Sequence, residues 1–172
     1  YGGRVELDAL PASLPRAVMA VEDRRFYDHY GVDPLGLLRA TWVNLRAWDV
    51  VQGGSTITQQ LAKNLFLSPA QTLKRKVQEL ILAVWLERTF SKDEILELYL
   101  NRVYLGAGAY GVDAAAQRYF GKSARELTLY ESAMLAGMLK APSALNPRHH
   151  PDAAHARTVT VLNDMVAAGF IS

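Results

Sequence analysis

The sequence predicts a mainly α fold. Helix-opening pairs and capping patterns recur along the chain, and apolar residues between them return every three or four positions. Strand-like alternation is confined to RVEL at 4–7, which allows one short β element near the N-terminus.

Taken in order, Pro15 opens a short helix ending near Gly31. Asp33 and Pro34 supply an N-cap and a first-position proline for LGLLRATWVNLRA. Ser68-Pro69 repeats the device, and a long helix follows over about 72–88. Ser91 with Glu94 forms a capping box before ILELYLN. Ser123 with Glu126 and Thr128 with Glu131 form two more, the second opening ESAMLAGMLK, which Pro142 stops. Asp152 caps a last helix, with Gly169 as its C-terminal stop. No repeat or low-complexity linker interrupts the chain, so residues 1–172 read as a single domain.

A chain of 172 residues can bury a real core, and a composition of 50% hydrophobic and 21% charged residues is that of a globular protein. A formal charge of +2 is too small to argue for nucleic acid, and none is expected as a partner. Without cysteine there are no disulfides and no thiolate metal sites. The longest apolar run, LILAVWL at 80–86, is far too short to span a bilayer and reads as buried core. The start at Tyr1 carries no signal-peptide pattern, so the chain reads as a piece of a longer protein, and any membrane anchor would lie outside it.

Three constellations carry chemistry. In AVEDRRFYDHYG at 20–31, helical spacing turns Val18, Val21 and Phe26 towards a core and leaves Glu22 at the end of an apolar run. A partly desolvated carboxylate there is a better proton acceptor near neutral pH, and the plain alternative is a salt bridge to Arg24 or Arg25. His29 reads as a hydrogen-bonding or capping side chain, because no partner stands at metal-ligand spacing.

In GGSTITQQLAKN at 53–64, Ile57, Leu61 and Leu65 face inward from a helix that starts at Ser55 or Thr56. Thr56, Gln59, Gln60 and Lys63 then share the other side. An amide-rich stripe behind a Gly-Gly turn, with a lysine one turn on, suits an anionic polar ligand. In LKRKVQELILAVWLE at 73–87, Arg75, Lys76 and Glu79 cluster at helical spacing, ahead of an apolar run that carries the helix into the core. GAGAYG at 106–111 matches GxGxxG but follows a helical pattern, so it reads as a tight loop against the site that these residues form and not a dinucleotide site.

In this order and spacing, EDRRFYDHYG, GGSTITQQLAKN, RKVQE and KDEILELYLN resemble the peptidoglycan glycosyltransferase family, the transglycosylase module of class A penicillin-binding proteins and their monofunctional relatives. GAYGVDAAAQRYFGK, LTLYESAMLAGMLKAPSALNP and VLNDMVAAGFIS resemble the rest of that module, so the likeness runs from VELDALP to the end. It implies a lysozyme-like fold with a large helical lobe and a small membrane-facing jaw lobe at about 34–52. There LGLL, Trp42, Val43, Leu45, Trp48, Val50 and Val51 supply an apolar surface, unless burial of Trp42 and Trp48 makes the segment core.

The resemblance further implies polymerisation of lipid II at the extracytoplasmic face of the bacterial cytoplasmic membrane. The acceptor's GlcNAc 4-hydroxyl attacks C1 of the donor's MurNAc with inversion, forming a β-1,4 bond and expelling a lipid pyrophosphate. Matched position by position, Glu22 is the base and Glu79 a second carboxylate that positions the pyrophosphate or a divalent ion. Ser55, Gln60 and Lys63 line the donor-phosphate region, and Lys76 holds the pyrophosphate. Asp23, Gln59 and Arg75 stand beside these with no role assigned. No cofactor is obligatory, with room for a divalent cation (Mg2+ or Mn2+). The implied partners are lipid II, the growing lipid-linked glycan, the membrane surface and a C-terminal transpeptidase domain.

One position departs from the family pattern: Gln71 stands where the family usually carries an arginine facing the donor, so one positive charge is missing. Two other readings stay open on the sequence, a lysozyme-like muramidase or lytic enzyme and a catalytically weak scaffold module.

Overall fold

The computed structural model describes residues 4–47, 55–66 and 72–172. Among them run eight α-helices: α1 Ser13–Glu22, α2 Pro34–Ala47, α3 Ile57–Phe66, α4 Leu73–Thr89, α5 Lys92–Arg102, α6 Val112–Phe120, α7 Leu129–Met138 and α8 Pro151–Ala167. The chain divides into two compact units, one formed by Tyr1–Val21 with Glu97–Ser172 and the other by Glu22–Leu96. Trp48, Val50, Val51, Gly53, Gly54, Ser68, Pro69 and Gln71 lie outside the described residues.

In the first unit the RVEL stretch forms no strand. Among the described residues the β pairing is a single bridge between Tyr104 and Tyr110. Val5 is fully buried, and Asn101 does the work of a neighbouring strand: its side-chain oxygen accepts the Val5 N–H at 2.8 Å and its amide donates to the Val5 carbonyl at 2.9 Å. The alternation therefore buries one valine and then gives way to a 3₁₀ turn over Leu7–Ala9.

GAGAYG is the tight loop that its glycines predicted. Gly111 has φ +87°, and a Cβ there would stand 2.6 Å from the Asn101 carbonyl oxygen, so only glycine fits. α7 packs on α8 through a core that includes Leu135, Met138, Val161 and Met165. Each such side chain contributes about 1.5–3 kcal/mol when fully buried. Pro151 takes the first turn of α8, and His150, not Asp152, holds the N-cap position.

In the second unit α3 packs on α4. Ile57 and Leu61 are fully buried as their four-residue spacing predicted, and Ala83 and Leu86 are fully buried on α4. The run 80–86 does not plunge into a core: Ile81 is 64% exposed and Trp85 48%. On α4 only Glu79, Ala83 and Leu86 are buried, at the four- and three-residue steps of a single face. The run is apolar on both sides, and the outer side stays uncovered. α2 likewise exposes Leu35, Leu38, Leu45 and Trp42, the last at 59%, which removes the core alternative at Trp42.

Thr128 and Glu131 form the capping box of α7, and Lys122 pairs with Glu131 at 2.6 Å. Burial pushes the Glu131 carboxyl up, but the Lys122 bond and the Thr128 donors outweigh it and hold it below its ordinary value of 4.5. A depressed carboxyl contributes stability that is present above the unfolded value and is lost as pH falls through the folded one. Glu131→Gln should therefore lower stability at neutral pH and flatten its acid dependence below about pH 4.5. Urea unfolding at a series of pH values checks this.

Candidate active site

The sequence placed Glu22 within a helix reaching Gly31. In the structure α1 stops at Glu22 and residues 23–31 fold back in turns, with the Phe26 N–H on the Asp23 carbonyl at 3.1 Å and the His29 N–H on that of Arg25 at 3.2 Å. The helix stops there because the Asp23 side chain is needed elsewhere. Its Oδ2 accepts the backbone N–H of Ile57, the first residue of α3, at 3.0 Å. The same oxygen meets the ring of buried His29 at 2.6 Å.

His29 Nδ1 accepts the Gly31 N–H at 3.1 Å, so the proton sits on Nε2 and is donated to Asp23. His29 is thus the structural hydrogen-bonding residue that its isolation predicted. The Thr56 hydroxyl donates to the Gly31 carbonyl at 2.8 Å, tying the turn to the start of α3 once more.

Glu22, half-buried at the end of α1, receives a hydrogen bond from the Gln60 side-chain amide at 3.1 Å. Arg25, one of its two candidate partners, pairs with Asp33 instead at 3.2 Å. Lys63 lies one turn beyond Gln60 on the same helix and is half-buried. Lys76 of α4 donates to the Ser55 hydroxyl at 3.0 Å and to Glu79 Oε1 at 3.1 Å, so Ser55, Lys76 and Glu79 form one cluster. Glu22 and Ser55 line the same small polar recess, together with Asp33, Arg39 and Thr56. The predicted site residues Glu22, Gln60, Ser55, Lys76 and Glu79 are therefore neighbours within one unit.

Other candidates serve different ends. Thr56 borders the recess and Gln59 does not, but both are buried and their polar atoms are already taken by a capping box, in which the Gln59 side-chain oxygen accepts the Thr56 N–H at 3.0 Å and the Thr56 hydroxyl accepts the Gln59 N–H at 3.1 Å. Arg75 turns away from Lys76, donates to Gln78 at 3.0 Å, and lines a separate cleft with Phe66, Ile81 and Leu82.

Arg39 was missed by the sequence reading. It sits on α2 within the jaw segment, lines the recess with Glu22, and forms no ion pair with another described residue. The signal was there, a lone cation inside the apolar run LGLLRATW. Among the described residues no three His, Asp or Glu side chains gather as metal ligands, and Glu79 is already paired with Lys76. These residues alone do not build a metal site.

A carboxylate beside lysines and amides, on a helical scaffold, is equipment suited to an enzyme that moves a group and expels an anion. The comparisons agree. The sequence profile of the transglycosylase family matches residues 2–166. Penicillin-binding protein 1A of Aquifex aeolicus is 54% identical over 168 residues, 98% of this chain and 23% of that protein. Penicillin-binding protein 1A of Escherichia coli is 54% identical over 168 residues, covering 98% of this chain and 20% of the relative. The crystal structure of penicillin-binding protein 1A from Haemophilus influenzae superposes with a TM-score of 0.58 at 30% identity, over 99% of this chain and 16% of that one. The chain belongs to the transglycosylase family, as a peptidoglycan glycosyltransferase domain of the class A penicillin-binding-protein type. It spans only 20% to 23% of the length of these two sequence relatives.

The adjacent amides of α3 should respond differently to truncation. Gln59→Ala leaves the buried Thr56 N–H without its acceptor and should cost about 1–3 kcal/mol of stability. Gln60→Ala should cost less than about 1 kcal/mol and lower glycan polymerisation instead. Urea unfolding and a polymerisation gel, run on both variants, check the division.

Proposed function

We propose that this domain polymerises lipid II into glycan strands, with Glu22 as the base. A sugar 4-hydroxyl is a weak nucleophile, so its proton must leave as the new bond forms. Glu22 takes that proton while the acceptor oxygen bonds to C1 of the donor's MurNAc. The C1–O bond breaks from the opposite face and its electron pair departs with the pyrophosphate, which gives inversion and a β-1,4 linkage. The leaving group is already a stable anion and requires cations rather than a protonating acid. Lys76 and Lys63 supply them, with Ser55 and Gln60 as neutral donors and Arg39 a further guanidinium in the same recess.

The observation that carries this reading is the recess shared by Glu22 and Ser55, whose hydroxyl is held by Lys76. Glu79 orients Lys76, so the lysine's direction is set before substrate arrives. A divalent ion would draw its ligands chiefly from the substrate phosphates.

A lipid-linked substrate places the domain at a membrane surface, on the extracytoplasmic side. The exposed leucines and Trp42 of α2 support contact with a membrane surface. The length of the relatives beyond the matched part supports a following transpeptidase domain as partner.

Glu22→Gln preserves size and can still meet Gln60, so it should fold normally and lower polymer formation by at least about 10²-fold. A lipid II polymerisation gel with circular dichroism on the same preparation tests this, and retention of most activity would remove Glu22 as the base. Shortening of finished glycan strands by the native chain would point to a lytic enzyme instead.

A further inference from the structure

The second unit holds an ion pair that the proposed reaction does not use. Lys92, at the start of α5, donates to Glu87 Oε1 at 2.6 Å, and the two side chains are only 19% and 6% exposed. The ammonium also lies 3.4 Å from His29 Nδ1 and 4.5 Å from the centre of the Phe26 ring. Glu87 Oε1 accepts a second bond, from the Thr58 hydroxyl of α3, at 2.8 Å. Gly31 closes the contact, because a Cβ there would meet Glu87 Cγ at 3.1 Å and the Ala83 carbonyl oxygen at 3.1 Å.

Lys92 therefore touches the two routes that reach α3. One runs through His29 and Asp23 to the N–H of Ile57. The other runs through Glu87 to the hydroxyl of Thr58. Ile57 and Thr58 are consecutive residues of the first turn, and fixing both fixes the rotation of the helix about its axis. Gln60 follows two residues later, and its amide meets Glu22. A slip of one residue turns a helix by about 100° and would carry Gln60 away from the carboxylate. A buried ion pair is a poor source of stability, since apolar side chains of similar volume often serve as well or better. Its value here is geometric.

We infer that Lys92, acting through Glu87 and His29, is a positioning residue that sets the rotation of α3 and so the meeting of Gln60 with Glu22. The inference rests on the proposed role of Glu22. Lys92→Met alone strands the Glu87 carboxylate, so it should lower stability and activity together. The double variant Lys92→Met/Glu87→Met removes both charges and separates the two effects.

Thermal unfolding and steady-state lipid II polymerisation are measured on the full chain for the native protein, both variants and Glu22→Gln. The double variant should regain the native unfolding temperature or exceed it, yet keep kcat at least about tenfold below native with KM within about threefold. Native kcat in the double variant, whatever its stability, would overturn the inference and make the pair purely structural. Loss of activity in the double variant only in proportion to lost fold would overturn it equally. If Glu22→Gln polymerises as well as the native chain, the reading of Glu22 fails instead, and the two failures stay distinct.

Discussion

One oxygen of Asp23 accepts the first N–H of α3 and the ring N–H of His29, both from buried partners. A carboxylate at a helix N-terminus satisfies one orphan donor and faces the positive end of the helix dipole, an effect of about 0.3–1 kcal/mol at exposed sites and up to about 2 when partly buried. More depends on this contact than its energy. It ends α1 at Glu22, folds residues 23–31 back on themselves, and fixes where α3 begins. Gln60 meets Glu22 because the residue after Glu22 holds the helix that carries Gln60.

Around that anchor the unit separates groups that build from groups that face the recess. Thr56 and Gln59 spend their polar atoms on each other, as Thr58 spends its own on Glu87. Gln60, Lys63 and Ser55 stay partly open on the other side. Lys76 comes from a different helix and is aimed by Glu79, so α3 and α4 each contribute a cation. Cations from two helices, with the Arg39 guanidinium lining the recess, suit a ligand whose charge rises as the bond to it breaks.

Most of this was legible in the sequence where a local rule governs it. Helix starts at Pro34, at Ser91 and at Thr128 follow from capping chemistry within four residues, and each appears where that chemistry puts it. Glu22, Ser55, Gln60, Lys76 and Glu79 were picked out because their motifs stand in series as in the family they resemble, and the structure makes them neighbours. What the sequence hid depends on distant partners. The end of α1 at Glu22 requires Ile57, 34 positions on from Asp23. RVEL reads as a strand because nothing nearby says that Asn101 will supply its hydrogen bonds. Gln59 and Gln60 look alike in a row, and only the capping box tells them apart. The run at 80–86 misled because apolar composition does not say which side of a helix finds a neighbour.

The most direct test of the anchor is backbone amide hydrogen exchange in α3, compared between the native chain and Asp23→Ala. The Ile57 N–H bonds to Asp23, and the Gln60 N–H, on the Thr56 carbonyl at 3.0 Å, belongs to the turn that Asp23 holds. The account predicts that both lose protection by at least about tenfold while amides in α7 and α8 keep theirs. Unchanged protection at Ile57 and Gln60 in the alanine variant would contradict it.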